Sequence, residues 1–137
     1  MKKQVEKLIT FALAAVRDKL LVPGKPSQVY EEYDGYAASF GASVVTAGLL
    51  PTVSFYTNVH KKDPVKPRRY KMLMALADIL RSNGRTAIGT GDTALLDFLE
   101  AGQNRTDKTL KAEIIAASIA LKLALRNFQH IKSNSES

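Results

Sequence analysis

The sequence has no cysteine and only two histidines, which limits the chemistry that it can support. Without cysteine neither a disulfide framework nor a thiolate metal site can form, and two distant histidines supply a zinc site poorly. Charged residues interrupt the N-terminal segment where a signal peptide needs an apolar run, and no run approaches the roughly 20 apolar residues of a membrane span. We therefore expect a cytoplasmic protein that has no metal, no cofactor and no membrane association.

Side chains that perform catalysis are equally scarce. An enzyme needs a nucleophile, an acid or base, or a metal ion placed together. His60 falls in a charged loop and His130 near the end of the last predicted helix, where surface positions are expected. The acidic residues Glu31, Glu32 and Asp34 point in different directions on a helix, which favours a solvated face over a cation site. We expect a non-enzymatic protein without catalytic residues.

Apolar periodicity predicts an all-α protein, a single compact bundle of about six helices over residues 1–132, with a disordered tail at 133–137. The predicted helices cover residues 2–22, 27–47, 49–59, 67–82 and 93–101, and the last begins at Thr106 or Asp107 and continues through Ile131. No strand is predicted. The apolar stripe of the last helix is wide, which indicates a central helix or one shared with a partner.

Three glycines and a stripe of aromatic residues mark the second predicted helix. Gly35 and Gly41 weaken it, at about 1 kcal/mol each relative to alanine, so tertiary packing must stabilise it. Gly48 is expected to adopt the left-handed conformation that ends it. Aromatic residues recur at helical spacing at Tyr30, Tyr33, Tyr36 and Phe40. Such a stripe is more typical of a core than of a platform for nucleic-acid bases, although it can serve as either.

Positive charge is the strongest functional signal in the residues themselves. The chain has 20 Lys and Arg against 13 Asp and Glu, a net charge of +7, and residues 60–85 contain eight basic residues and two acidic ones. The basic residues of this segment are Lys61, Lys62, Lys66, Arg68, Arg69, Lys71, Arg81 and Arg85. A second group, Lys3, Lys7 and Arg17, shares one face of the first helix. From composition alone, phosphate binding and an ordinary soluble surface are equally good explanations.

The segment from Tyr33 to Tyr56 resembles the signature region of the small helical subunit of the type III-B, or Cmr-type, CRISPR effector complex. An aromatic residue precedes a helix break, and an apolar helix follows it. The residues that match this pattern are Tyr33, Thr46, Ala47, Gly48, Leu49 and Phe55. The chain departs from the pattern at Val45, where a basic residue is frequent.

This resemblance implies a non-catalytic subunit that stacks in several copies beside the larger RNA-binding backbone subunits. It would help to hold the guide RNA and the target RNA, in defence against viruses and other foreign nucleic acid, while other subunits cleave. The expected partners are the other Cmr-complex subunits, further copies of this chain, and both RNAs; a monomeric isolated chain is compatible with this role. The candidate RNA-binding residues are the two basic groups above, and they rest on the charge distribution rather than on family residues.

Three other functions remain open at this point. A helix-turn-helix DNA regulator needs exposed base-reading residues on its recognition helix, and residues 49–59 are too apolar for that. A small hydrolase using Asp and His would show an effect of a metal ion or a nucleotide on the purified chain. A helical adaptor that binds only protein would show no salt-dependent RNA binding.

Overall fold

The computed structural model describes residues 2–58, 62–101 and 108–133. Within these ranges it contains six helices and two short strands, so the predicted helical bundle is confirmed. The elements are α1 (Lys2–Lys19), β1 (Gln28–Tyr30), α2 (Glu32–Ala47), α3 (Leu49–Tyr56), α4 (Arg69–Ser82), α5 (Ala94–Glu100), α6 (Lys108–Leu125) and β2 (Gln129–Ile131).

Helix α6 lies at the centre of the fold, which is one of the two arrangements that its wide apolar stripe indicated. It packs against α1, α2 and α4, and its residues Ile114, Ala117 and Leu121 are fully buried. Small residues let the neighbouring backbones approach closely: a Cβ atom added at Gly41 of α2 would lie 3.5 Å from Ser118 Oγ. The core is therefore organised around a helix that contacts neighbours on several sides.

The prediction of no strands is wrong. Strands β1 and β2 pair in parallel, with Val29 opposite His130, and the backbone N–H of Glu31 donates to the carbonyl of Ile131 at 2.8 Å. The partners are about 100 residues apart in the chain, and each strand has only three residues, so no local pattern announces the pairing. The strands join the connection between α1 and α2 to the segment that follows α6.

These strands also explain why three helix ends were predicted wrongly. Helix α1 ends at Lys19 and α2 begins at Glu32, because the backbone between them turns into β1. Helix α6 ends at Leu125, where a tight turn precedes β2, so Phe128 and Ile131 are not on a helix. Smaller differences affect the end of α3, the start of α4 and the start of α5.

Two further predictions fall partly or wholly outside the described residues. The predicted start of the last helix, at Thr106 or Asp107, is not among them. Of the predicted tail, only Ser133 is described, and its hydroxyl donates a hydrogen bond to the carboxylate of Glu32.

Helix α4 is buried on more sides than its sequence indicated. The helical spacing of Tyr70, Leu73, Leu76 and Leu80 predicts that these residues point inward and that Ala75 faces solvent. The four are buried as predicted, but Ala75 is fully buried as well. The reason is that α4 packs against both α1 and α6, so its buried arc is wider than one stripe.

Gly48 separates α2 from α3 with a backbone conformation that other residues rarely adopt. Its φ is +100° and its ψ is 162°. The positive φ was predicted, but the extended ψ differs from the left-handed helical conformation that was expected. Gly48 donates its N–H to the carbonyl of Val44 at 3.1 Å and accepts from Thr52 at 3.3 Å, so the helices follow each other with no intervening loop.

A buried carboxylate connects α6 to the segment after α4. Glu113 is 6% exposed and accepts hydrogen bonds from Arg85 Nε at 2.8 Å and from Asn83 Nδ2 at 3.0 Å. Breaking a charge-assisted contact of this kind is costly, because the remaining partner is left without its acceptor.

We predict opposite effects of alanine at two glycines. Gly35 is exposed in α2 with no heavy atom within 4 Å of an added Cβ, so Gly35→Ala should raise the free energy of unfolding by about 0.5–1 kcal/mol. Gly48→Ala should lower it by more than about 1 kcal/mol, because its φ is positive. Urea denaturation followed by circular dichroism measures both. Equal effects of the two substitutions would contradict the assigned conformation of Gly48.

We also predict that Glu113→Gln lowers the free energy of unfolding by about 2 kcal/mol, since Arg85 is deprived of its ionised acceptor. Glu6→Gln, the same chemical change at an exposed position on α1, is the matched control and should change stability by less than about 0.5 kcal/mol. Guanidinium or urea midpoints compared at one pH give the result, and equal midpoints for the two variants would show that the Glu113 contact does not stabilise the fold.

Candidate nucleic-acid interface

The predicted basic segment reaches the body of the protein at the start of α4. Arg68 precedes the helix with an extended backbone (φ −142°, ψ 149°), and the exposed Arg69 is the first helical residue. Adjacent arginines at this junction point in different directions, because the backbone changes from extended to helical between them. Arg68 is half-buried, whereas Arg69 lies against the neighbouring helices α2 and α3.

Tyr33, the first residue of the family-like pattern, fixes the position of Arg68. It is 2% exposed, and its hydroxyl accepts a hydrogen bond from the backbone N–H of Arg68. Burial raises the pKa of Tyr33 well above its usual range, and the bond from Arg68 opposes that shift only in part. The tyrosine therefore stays neutral and connects α2 to the beginning of α4.

The guanidinium of Arg69 lies among three aromatic rings. Its central carbon is 4.9 Å from the ring centroid of Tyr36, 5.3 Å from that of Phe55 and 5.7 Å from that of Tyr56. These distances are those of cation–π contacts, which hold the guanidinium while its N–H edges remain able to donate. The Tyr56 hydroxyl donates to the carbonyl of Tyr36 at 3.0 Å, so the rings of α2 and α3 are joined as well.

Together these side chains enclose a cavity that we name the aromatic pocket. Its volume is about 250 Å³, and it is lined by Tyr36, Phe55, Tyr56, Asn58, Arg68 and Arg69. Burial raises the pKa of both Tyr36 and Tyr56, and the positive charge of Arg69 opposes the shift. Both tyrosines are therefore neutral near pH 7, and the charge of the lining is positive.

Three of the predicted RNA-binding cations are paired with carboxylates. Ion pairs join Lys62 to Asp92, Arg81 to Asp78, and Arg85 to Glu113. A paired cation contributes less to the potential of the surface, because the nearby carboxylate offsets its charge. Lys61 lies outside the described residues.

Lys71 and Lys66 are connected to each other. The Lys71 ammonium donates to the backbone carbonyl of Lys66, and burial lowers the pKa of Lys71. Lys71 is half-buried on α4, two residues after Arg69, or about half a turn around the helix. The structure thus brings Lys66, Arg68, Arg69 and Lys71 together as a basic region at the start of α4.

The second predicted group of cations is not part of this region. Lys3, Lys7 and Arg17 are all exposed on α1, and Arg17 lies over the Phe128 ring at 5.8 Å. Lys19 of α1 binds Asp78 of α4 at 2.8 Å. One cavity beside that pair is lined by Ala14, which precedes Lys19 in α1, and by Ser82, which follows Asp78 in α4. The two helices are therefore antiparallel.

Opposite directions place the two basic regions far apart. Lys7 precedes Lys19 in α1, and Arg69 precedes Asp78 in α4. Because the helices are antiparallel, Lys7 and Arg69 lie on opposite sides of the contact between Lys19 and Asp78. At a rise of about 1.5 Å per residue, Lys7 and Arg69 are separated by about 30 Å along the helix axes. The chain therefore has two distinct basic regions.

The other residues of the family-like pattern shape the turn between α2 and α3. Leu49 is buried, Thr46 and Ala47 are exposed at the end of α2, and the Thr46 hydroxyl donates to the carbonyl of Ala42 at 3.0 Å. Phe55 is also exposed, to 65%, although it is a large apolar residue. The pattern thus contains residues that form the turn and an aromatic ring that faces outward.

Helix α3 does not have the surface of a DNA-recognition helix. It buries Leu49, Thr52, Val53 and Tyr56 and contains no basic residue. A helix that reads bases in the major groove needs exposed polar side chains at these positions.

The sequence did not identify Tyr36, Tyr56 and Asn58 as residues of the site. The regular spacing of the tyrosines was visible, and it indicated either core or stacking residues. Tyr33 and Phe40 are buried, as expected for core residues, whereas Tyr36 is half-buried at the pocket. The adjacent aromatic pair at 55 and 56 was the other available signal.

In residues 2–58, 62–101 and 108–133, no group of three or more His, Cys, Asp or Glu is arranged to hold a metal ion. No helix in those ranges is both long enough and apolar enough to cross a membrane.

Comparison with known proteins returned one family. The family model described as CRISPR-associated protein (Cas_Cmr5) matches residues 5–124. No curated protein and no solved structure matched the chain. Because the family match covers nearly the whole sequence, and six helices form the fold, the chain belongs to the Cmr5 family, the small CRISPR-associated subunits of the type III-B Cmr complex.

Proposed function

We propose that this Cmr-complex subunit is non-catalytic and helps to hold the guide RNA and the target RNA in the cytoplasm, as part of defence against foreign nucleic acid. It stacks in several copies beside the backbone subunits that bind RNA. Family membership establishes the association with other Cmr-complex subunits. The contact with RNA and the stacking are the proposal.

The observation that carries the RNA contact is the basic region at the start of α4. Arg69 is exposed there, Arg68 lines the adjoining pocket, and Lys71 lies two residues after Arg69 on the same helix. Arginines suit phosphate oxygens, because the planar guanidinium donates two parallel hydrogen bonds. Lys62, Arg81 and Arg85 are less suited to this contact, because each forms an ion pair with a carboxylate.

A subunit of this kind needs positive charge but no base-reading chemistry. Paired RNA is recognised through its backbone and its shape, and a complementary guide supplies the sequence specificity. The exposed cations of α1, of which Lys7 is about 30 Å from Arg69 along the helix axes, offer a second place for phosphate contact. Two separated basic regions suit a subunit that lies along an extended strand.

Apolar surface between α2 and α6 supports stacking against neighbouring subunits. Val45 is 68% exposed and Ile119 is 38% exposed, and both line a groove that also contains Ala38, Gly41 and Ala42. Small side chains let another protein surface approach closely, and exposed apolar residues of this size favour burial.

We predict that replacing Arg68, Arg69 and Lys71 together with Glu weakens RNA retention by the assembled Cmr complex. The salt dependence should also change: the slope of log affinity against log salt should fall by about 0.7 for each phosphate that is no longer neutralised, or about 2 for three phosphates. Filter binding of a single-stranded RNA complementary to the guide, repeated at several salt concentrations, measures both effects.

The control replaces the exposed residues Lys25, Lys108 and Lys111 with Glu, which changes the net charge by the same amount. Helical content and incorporation into the complex are measured for both triple variants. Equal retention and equal slopes for the two variants would count against RNA contact at the start of α4.

A further inference from the structure

We infer that the aromatic pocket binds one unpaired nucleotide of single-stranded RNA, with its base on Phe55 and its phosphate on the guanidinium of Arg68. This inference rests on the proposed function and specifies the ligand of the basic region. The aromatic pocket combines the exposed ring of Phe55 with the buried Nε donor of Arg68. The ring suits the base of a nucleotide, and the donor suits its phosphate.

The first part is the ring of Phe55. It is 65% exposed although its neighbour Tyr56, 5.9 Å away in an edge-to-face arrangement, is 3% exposed. An exposed phenylalanine costs hydrophobic free energy that burial under a ligand would recover. A nucleobase suits this position, because bases stack on aromatic rings whatever their sequence.

The second part is the side chain of Arg68. Its Nε atom is buried and has no hydrogen-bond partner among the described residues. A buried donor of this kind ordinarily has an acceptor. Phosphate oxygens are strong acceptors for a guanidinium, and they also compensate its charge.

The composition of the lining decides between classes of ligand. Among the described residues, two arginines and no carboxylate line the pocket, so an anion is preferred over a cation. Its volume of about 250 Å³ suits a single small group rather than a folded element. The three rings around Arg69 keep the guanidinium in place, so the pocket is formed before a ligand arrives.

An acidic peptide is the competing ligand, since a carboxylate would also satisfy Arg68. Two features favour a nucleotide. The cations of the region lie in sequence within residues 66–71, next to an open ring, which is the combination of basic groove and stacking platform used for single strands. The chain as a whole also has a net charge of +7.

The test uses the complete Cmr complex assembled with variants of this subunit, and a target RNA that pairs with part of the guide and leaves its remaining nucleotides single-stranded. Phe55→Ala and Arg68→Gln should each weaken RNA binding roughly tenfold, as expected when one stacked base or one phosphate contact is removed. Phe55→Trp should restore the affinity. Ser54→Ala is the control, because Ser54 is exposed on the same helix as Phe55 but does not line the pocket, and it should leave the affinity unchanged.

A photoreactive RNA containing 4-thiouridine locates the contact directly. Cross-links that map to residues 55–69 in the unsubstituted complex, and are absent in Phe55→Ala, support the inference. If the unsubstituted complex retains the RNA but Phe55→Ala and Arg68→Gln behave like Ser54→Ala, the pocket assignment is overturned and the proposed function stands.

Two other outcomes separate the remaining possibilities. If complexes assembled with and without the unsubstituted subunit retain RNA equally well, the proposed function itself fails. If Phe55→Ala reduces incorporation of the subunit, and RNA binding falls only in proportion, then the pocket binds a protein partner and the nucleotide assignment is overturned.

Discussion

The turn at Gly48 is the constraint on which the aromatic pocket depends. A φ of +100° lets α3 follow α2 with no intervening loop, so that Tyr56 reaches back to the carbonyl of Tyr36. The same turn leaves the adjacent Phe55 exposed beside Arg69. A residue with a Cβ atom would strain this turn, and a longer connection would not hold the rings at fixed distances.

A second constraint comes from the burial of α4 between α1 and α6. Because this helix is surrounded, its first residues are held in place even though they follow a proline-containing segment. Tyr33 adds a hydrogen bond to the backbone of Arg68 from the neighbouring α2. The basic region is thus presented by a rigid part of the core, which lowers the entropic cost of binding a flexible strand.

Some charged side chains of the protein form ion pairs within the fold, and others can contact a ligand. Arg85 and Glu113 stabilise the attachment of the segment after α4, and Arg81 and Lys19 both contact Asp78. Arg69, by contrast, is held by aromatic rings, and no carboxylate of residues 2–58, 62–101 and 108–133 forms an ion pair with it. A net charge of +7 therefore overstates the number of cations that can meet phosphate.

The sequence by itself determined the helical class, the central position of α6, the positive φ of Gly48 and the stretch of basic residues, because each depends on local periodicity, backbone sterics or composition. The resemblance over residues 33–56 added the family, which the match over residues 5–124 confirmed. Only the tertiary structure decided the pairing of Val29 with His130, the burial of Ala75, the partners of Arg81 and Arg85, and the pocket around Arg69. These features join residues that are distant in the chain, and spacing along one segment carries no information about which distant segment packs against it.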